Sequence, residues 1–399
     1  MEMICIILVI NLGSSTLKFN LFSNSENLCS ICSGICECIG FEHGIVRYTY
    51  EGKSNEINVH LKNHKEAFAF IKKILFDEKN GPIKHYKDLE AIGHRVVHGG
   101  EYFPGPVLVD DSVIEKIKDL IPLAPIHNAV NLEGILDCQI EFPNIPQVAV
   151  FDTSFFYNLP EKVKNYPIPN DLSKKYRIRK YGFHGISHSW AYERYTKIAK
   201  RKDCKVISCH LGSGSSVCAI KNGLPLDISM GLTPLGGLMM GTRSGSIDPS
   251  VVTYLMDKSG MSCQEMNEVL NKHSGLLGIS EFSGDVRKIM DKNDRKCILA
   301  LDMFIYRIIK YIGSYIASLN GVDSIVFTGG IGENVPYIRK KVCENFEFLG
   351  VDIDENINNK VISGVEGLIS LEKSKVEICV IKSNEEFSIA ELTVKTKRC

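Results

Sequence analysis

Four short stretches hold charged side chains in settings where they could do chemistry. "GHRVVHGG" sets Arg95 between His94 and His98, "FDTSFF" holds Asp152 among aromatic residues, "YGFHGISH" carries His184, and "MMGTRSGSIDP" carries Arg243. Arg243 is the most telling, because a guanidinium in a turn of glycine, serine and threonine suits fork-like recognition of a carboxylate or a phosphate. Taken singly, His184 reads as a structural histidine and Asp152 as a loop cap. His94 and His98 are four apart, but "RVVHGG" reads as a strand entering a turn, so a helical metal-ligand pair is not expected there.

Three small-residue turns, each after an apolar run, indicate what such cations would act on. "VINLGSSTLKF" (Val9 to Phe19) lacks the second glycine before its lysine that a P-loop needs. Its alternation after Gly13 predicts a returning strand that carries Lys18, and so a β-hairpin phosphate cradle. "VISCHLGSGSSVCAI" (Val206 to Ile220) repeats the pattern half a chain later, Leu211-Gly212-Ser213 answering Leu12-Gly13-Ser14, which suggests a duplicated unit. "SIVFTGGIGEN" predicts a strand, a glycine-rich turn and a helix N-terminus, where backbone and anion can approach. It lacks the third glycine of a dinucleotide fingerprint. Together the turns imply a nucleotide's phosphates held between two half-sheets.

The remaining elements frame these turns. "KEAFAFIKKILF" places Ala67, Phe68, Ile71 and Leu75 on one helix face. "DDSVIEKIKDLI" predicts a helix with Asp111 as N-cap, carrying Val113, Ile114, Ile117 and Ile121. "PLAPIHNAVN" and "NYPIPNDL" read as proline-marked loops, and the change of texture from "AVFDTSFF" to "NYPIP" marks a domain boundary. "CILALDMFIYRIIKYIGSYIASL" is broken by Asp302, Arg307 and Lys310, so it reads as a core or subunit-interface helix of a homodimer. "LCSICSGICECIGF" alternates as a β-hairpin with Gly34 at the turn, which competes with a metal-site reading of Cys29, Cys32, Cys36 and Cys38.

Composition narrows the function classes. A chain of 399 residues exceeds one comfortable core and implies two domains. Lys+Arg and Asp+Glu both number 47, which leaves no electrostatic footprint for nucleic acid or an anionic membrane and favours a small-molecule ligand. "MEMICIILVI" lacks the charged start and cleavage pattern of a signal peptide and reads as a first strand. No apolar run reaches membrane-span length. Fourteen scattered cysteines fit small buried hydrophobes in a reducing cytoplasm.

Taken together, "VINLGSSTLKF", "GHRVVHGG", "LAPIHN", "VFDTSF", "YGFHGISH", "CHLGSGSS", "MGLTPLGGLMMGTRSG", "SGLLGIS", "FTGGIGEN" and "SNEE" resemble the acetate kinase family over essentially the whole chain. The resemblance implies an α/β fold of two duplicated ribonuclease H-like (actin-like ATPase) domains with a nucleotide cleft between them. The first domain would be 1–152, completed by 386–399, and the second, carrying nucleotide binding and dimerisation, 153–385. It implies reversible phosphoryl transfer between ATP and acetate, giving ADP and acetyl phosphate, with Mg2+ or in its place Mn2+. By the same resemblance Asn11 and Glu385 serve the metal and Lys18 the nucleotide phosphates. Arg95 is the acyl-carboxylate ligand, Asp152 the catalytic aspartate, and His184 and Arg243 the transition-state stabilisers. His210, Leu211, Gly212, Ser213 and Gly214 form the second phosphate hairpin. Asp285, Val286 and Arg287, with Gly330, Ile331, Gly332, Glu333 and Asn334, form the nucleotide pocket. Val97, Ile126, Phe183 and Pro234 line the pocket for the acetate methyl group.

An acetate carboxylate is already ionised at neutral pH, so the barrier lies in bringing anion to anion, and cations are expected to do most of the catalysis. Asp152 is then expected to position the metal, its waters and the arginines. Three residues depart from the usual family pattern: Ser213 replaces an asparagine, Gly236 a glutamate and Ser246 an aspartate, the last two removing negative charge near Arg243. Propionate or another short acid is the neighbouring reading, since one methylene discriminates by only ~1–3 kcal/mol. A nucleotide-switched chaperone or filament protein of the same fold is the reading from another class. It would not need the anion-binding set Arg95, His184 and Arg243.

Overall fold

The computed structural model describes residues 5–24 and 28–398; residues 1–4, 25–27 and 399 and the side chain of Ile126 lie outside the described set. The chain divides into two compact units, Met1–Tyr157 with Asn384–Cys399, and Asn158–Ser383.

The first unit is built on one eight-stranded sheet. Its strands are β1 (Ile6–Gly13), β2 (Thr16–Asn24), β3 (Leu28–Glu37), β4 (Ile45–Tyr50), β5 (Lys53–Asn58), β6 (Leu89–Val96), β7 (Val107–Leu108) and β8 (Gln147–Phe151), in the order β5-β4-β3-β2-β1-β6-β8-β7. β1 to β5 form an antiparallel meander, while β6 and β8 join β1 in parallel. A strand covered on both faces should be apolar throughout, and Ile6 to Ile10 are all buried. The helices are α1 (His64–Leu75), α2 (Asp111–Asp119), α3 (Pro125–Glu141) and the C-terminal helix Glu385–Lys397. α1 buries Ala67, Phe68, Ile71 and Leu75, the face read from its spacing, and Phe68 alone contributes about 2–3 kcal/mol by leaving water.

Three local readings change here. The N-cap of α2 is Asp110, whose carboxylate accepts from Val113 N at 2.8 Å, one residue earlier than expected. The stretch "PLAPIHNAVN" is mostly helix: Pro125 occupies the first position of α3, where a missing N–H costs nothing. Gly34 lies within the continuous strand β3 instead of at a turn. A Cβ there would stand 2.6 Å from the Phe19 ring and from the Arg47 carbonyl, so the glycine makes room for a cross-strand aromatic.

The second unit repeats the plan. It contains α4 (Glu161–Lys164), α5 (Asn170–Lys175), α6 (Gly185–Ala199), β9 (Lys205–Leu211), β10 (Ser215–Lys221), β11 (Leu224–Ile228), α7 (Pro249–Ser259), α8 (Cys263–Lys272), α9 (Gly275–Ser280), α10 (Val286–Lys292), α11 (Arg295–Leu319), β12 (Ser324–Thr328), α12 (Gly329–Asn334), α13 (Pro336–Cys343), α14 (Glu355–Lys360), β13 (Gly367–Leu368) and β14 (Glu377–Val380). Its sheet runs β11-β10-β9-β12-β14-β13, with β9, β12 and β14 parallel. Thus β3-β2-β1-β6-β8 and β11-β10-β9-β12-β14 share one plan, an antiparallel three-strand meander followed by two parallel strands. The repeat first visible in two glycine turns extends over both sheets.

A core cluster of the second unit packs Phe304, Ile308 and Ile312 of α11 with Ile207, Val217 and Ile325 of the sheet. Among the described residues no helix is long and apolar enough to cross a membrane. Nine of the thirteen described cysteines are buried and all thirteen are free, and burial pushes the Cys36 thiol up to about 12, so these behave as packing residues.

Candidate active site

In the first unit the β1–β2 hairpin and the ends of β6 and β8 bring four predicted residues together. Asn11 and Lys18 are direct cross-strand partners and so share one face of the hairpin. Arg95, near the end of β6, donates to Asp152 Oδ2 from Nε at 3.1 Å and from Nη2 at 2.6 Å. Its Nη1 lies 3.4 Å from Asn11 Oδ1 and its Nε 3.7 Å from Glu385 Oε2. Burial works against the Arg95 charge, but Asp152 and Glu385 outweigh it and hold the guanidinium above its ordinary range. Burial pushes the Asp152 carboxyl up and Glu385 adds to this, against the pull of Arg95.

Asp152 is 1% exposed, and its Oδ1 has no hydrogen-bond partner. A buried carboxylate oxygen left open beside an amide oxygen and a second carboxylate is a donor set suited to a hard cation. Among the described residues no three His, Cys, Asp or Glu side chains form a closed metal cage. The oxygens of Asn11, Asp152 and Glu385 therefore fit a magnesium ion that takes its remaining ligands from water and phosphate.

Two residues that the sequence reading passed over build this corner. Asn128 and Asn131, both buried on α3, accept from His98 N and Val97 N at 3.0 Å each. Asn128 also donates to His98 O, and Asn131 to Leu12 O at 3.3 Å. They hold Val97, one of the predicted methyl-pocket residues, and join the β6 exit to the β1–β2 hairpin. Polar residues three apart on a buried helix face would have signalled them, had the stretch been read as helix. Ile126 sits in the first turn of α3, and its side chain lies outside the described set.

In the second unit the β9–β10 hairpin is the meeting point. A Cβ at Gly214 would stand 3.3 Å from Arg243 Nη1 and 3.5 Å from His184 Nε2, so the guanidinium and the imidazole converge on the hairpin tip. His184 precedes α6 with φ 59°, an uncommon left-handed conformation for a residue with a side chain. Its ring stacks on His210 at 4.2 Å, and its Nδ1 lies 3.0 Å from Ser216 Oγ. Phe183 beside it is 2% exposed. Arg243 Nη1 lies 3.4 Å from the carbonyl of Pro234 and 3.7 Å from the Met240 sulfur, and no carboxylate pairs with it among the described residues. Burial pushes its guanidinium down from the ordinary value.

A cavity of about 490 Å³ opens beside the same hairpin, within the range of small-ligand sites. It is lined by Gly212, Ser213, Gly241, Thr242, Gly284, Asp285, Val286, Arg287, Gly330, Ile331, Asn334 and Val335. Three predicted nucleotide segments thus share one wall set. The glycines after β12 form the short helix α12 itself instead of a turn before it. Gly329 has φ 78° and sits so close to β9 that a Cβ would lie 2.7 Å from Leu211 O. Leu211, Gly332 and Glu333 do not line the cavity: Leu211 lies in the core, and Glu333 Oε1 accepts from Ser383 N at 3.0 Å. Asp285 caps α10 and pairs with Arg287 at 2.8 Å.

Twin sheets of one strand plan, each with a small-residue hairpin beside arginine and histidine or arginine and carboxylate, define a phosphotransferase of the actin-like ATPase fold. The chain matches the model of the acetokinase family over residues 6–391. It is 47% identical over 396 residues to the acetate kinase of Caldanaerobacter subterraneus subsp. tengcongensis, covering 98% of each chain. It is likewise 47% identical over 393 residues to that of Thermotoga maritima, covering 97% of each. The crystal structure of Porphyromonas gingivalis acetate kinase superposes with a TM-score of 0.92 at 41% identity, covering 98% of this chain and 100% of that one. A propionate kinase from Francisella tularensis subsp. tularensis gives 0.91 at 42% identity, covering 98% and 99%. The chain belongs to the acetokinase family.

Proposed function

We propose that the chain catalyses reversible transfer of the γ-phosphoryl group of ATP to acetate by direct in-line displacement, with Mg2+, as a cytoplasmic homodimer. A carboxylate oxygen of acetate forms the new P–O bond while the bond to the β-phosphate oxygen of the leaving ADP breaks; no proton needs to move. The observation that carries this reading is the convergence of Arg243 Nη1 and His184 Nε2 at Gly214, two donors aimed at the tip of a phosphate hairpin. Arg95, held rigid by Asp152, orients the acetate carboxylate, and Lys18 meets the donor's phosphates. The family resemblance assigns the methyl group to Val97, Ile126, Phe183 and Pro234. Nucleotide binds against Ser213, Asp285 to Arg287, Gly330, Ile331 and Asn334.

Arg243 stabilises charge on the equatorial oxygens as it develops, which acts on kcat more than on substrate affinity. That no carboxylate pairs with it among the described residues supports this role, since the half-buried cation then gains a counter-charge from the substrate. Asn11, Asp152 and Glu385 hold the metal, which when bound neutralises phosphate charge and lets the two anions approach. Asp152 then positions the metal and Arg95 and does not serve as a base.

Propionate is the second reading, favoured by the close structural likeness to a propionate kinase. The homodimer is supported by α7, which buries none of its side chains although it carries Val251, Tyr254 and Leu255, and by Ile298, Leu299 and Tyr306, exposed on α11. The free cysteines suit a reducing compartment. Trapping acyl phosphate as hydroxamate, with acetate, propionate and butyrate compared and ATP set against pyrophosphate, tests the assignment. Product with acetate and ATP is expected; none with any short acid would return the nucleotide-switch reading.

A further inference from the structure

His184 is tied on its inner side to a chain of groups that nothing above employs. Ser216 Oγ lies 3.0 Å from His184 Nδ1 and 2.7 Å from His188 Nε2, and His188 Nδ1 lies 2.8 Å from Ser208 Oγ. Ser208, Ser216 and His188 are each 0% exposed. Burial pushes His188 well below the ordinary histidine value, so its ring is neutral and carries one N–H.

Among the described residues Ser216 makes no other side-chain hydrogen bond, so its hydroxyl proton is spent within the chain, and with one proton on each member the chain can run in only two directions. In the first, Ser208 O–H donates to His188 Nδ1, His188 Nε2–H donates to Ser216 Oγ, and Ser216 O–H donates to His184 Nδ1. In the second, every proton points the other way, His184 Nδ1–H donates to Ser216, and the hydroxyl proton of Ser208 must find another acceptor. Among the described residues Ser208 makes that one side-chain hydrogen bond, to His188. The reverse direction therefore strands a buried hydroxyl proton, and orphaned buried donors are costly. The direction is set at the end farthest from the hairpin.

We infer that Ser208, His188 and Ser216 form a one-way hydrogen-bond chain that keeps Nδ1 of His184 an acceptor and places the ring proton on Nε2, facing Gly214. The inference rests on the reading of His184 as a donor to the transferring phosphoryl group. All three are positioning residues: none faces the substrate, and each acts through the tautomer of His184. The same logic extends to His210, whose Nδ1 lies 2.8 Å from Ser187 Oγ. Serines on the strands and on α6 thus hold the inner nitrogen of both stacked imidazoles.

Neutron diffraction from crystals of the perdeuterated wild-type protein at neutral pH reads the tautomer directly and needs no variant. Deuterium on His184 Nε2 and none on Nδ1 is expected; deuterium on Nδ1 overturns the inference whatever the activity. Kinetically, Ser216→Ala should lower kcat by about 10–100-fold, the usual reach of an outer partner, with both KM values changed by less than about threefold. Ser216→Thr, which keeps the hydroxyl, should recover most of kcat. Ser216→Ala at wild-type kcat, or with its whole effect in KM, would sink the positioning role. Absence of acyl phosphate formation by the wild type would sink the functional reading alone, leaving the tautomer as measured.

Discussion

Replacing Arg339 with methionine should destabilise the second unit and loosen its nucleotide cavity at once. Arg339 is 0% exposed and has no carboxylate partner among the described residues. Its five hydrogen bonds all go to uncharged oxygens: Asn358 Oδ1 at 2.7 Å and the carbonyls of Gly332, Glu333, Asn358 and Val361 at 2.6–3.0 Å. Burial pushes the guanidinium down to about 10 from 12.5, a desolvation cost of about 3 kcal/mol that methionine would not carry. Against that relief stand five orphaned acceptors at about 1–3 kcal/mol each, some of which water will reach. The orphans win, by about 2–5 kcal/mol. Gly332 and Glu333 belong to α12, whose Gly330, Ile331 and Asn334 line the cavity, so the loss should also raise KM for ATP while KM for acetate stays unchanged. Urea unfolding gives the first quantity and initial-rate kinetics the second. Arg339→Lys, with three donors, should fall between. An Arg339→Met protein as stable as wild type, or one whose acetate KM rises as much as its ATP KM, would refute this reasoning.

Other expectations are equally specific. Arg243→Ala should lower kcat by roughly 10²–10³ with little change in KM, as loss of a donor to developing charge does; a mainly KM effect removes it from the transition state. Asp152→Asn should lower the pH–rate profile without changing its shape, whereas disappearance of a basic limb would make Asp152 a proton acceptor. His94, buried on β6 beside the Gln147 amide, is pushed down to about 4 by burial. A depressed histidine stabilises the fold above its ordinary value of 6.5, and that contribution drains away as pH falls through 4, about 3 kcal/mol in all. His94→Gln should therefore flatten the acid side of the stability curve, measured by urea unfolding between pH 7 and 4.5; an unchanged slope would mean His94 is already charged in the fold.

The features legible in the sequence were those that repeat locally. Alternation after Gly13 and after Gly212 announces a hairpin because strand side chains have a period of two, and the face of α1 follows from a period near four. The errors came where one residue type has two uses. Pro125 starts a helix as readily as it breaks one, and Gly34 serves close packing against Phe19 as well as a turn would. The cap of α2 differs by one residue because Asp110 and Asp111 are both good caps, and only backbone geometry chooses between them. At the site, Arg95 and Asp152 are 57 residues apart and pair because β6 and β8 are parallel neighbours. Ser208, Ser216 and His188 were illegible for the same reason: three ordinary small or polar residues become one chain only when β9, β10 and α6 fold together.

The two neutral positions near Arg243 acquire a physical meaning from the loop that carries it. Ser246 donates its N–H to Gly237 O at 2.9 Å, and its hydroxyl accepts from Gly237 N at 2.9 Å, so a reciprocal pair closes residues 237–246 without a carboxylate. Tyr311 OH lies 3.3 Å from the same hydroxyl, and Arg307 donates to Ser246 O at 2.8 Å, tying the loop to α11. Gly236 stands in space open enough for a side chain, its nearest neighbour to a notional Cβ being Gly231 N at 3.5 Å. The missing charge is thus not imposed by crowding. Holding the loop by hydrogen bonds instead of an ion pair leaves Arg243 without a carboxylate partner among the described residues, and a half-buried cation with no internal counter-charge keeps its attraction for an incoming anion. Here shape and electrostatics are separated: the Ser246–Gly237 pair closes the loop that carries the arginine, and on the proposed function the substrate supplies its counter-charge.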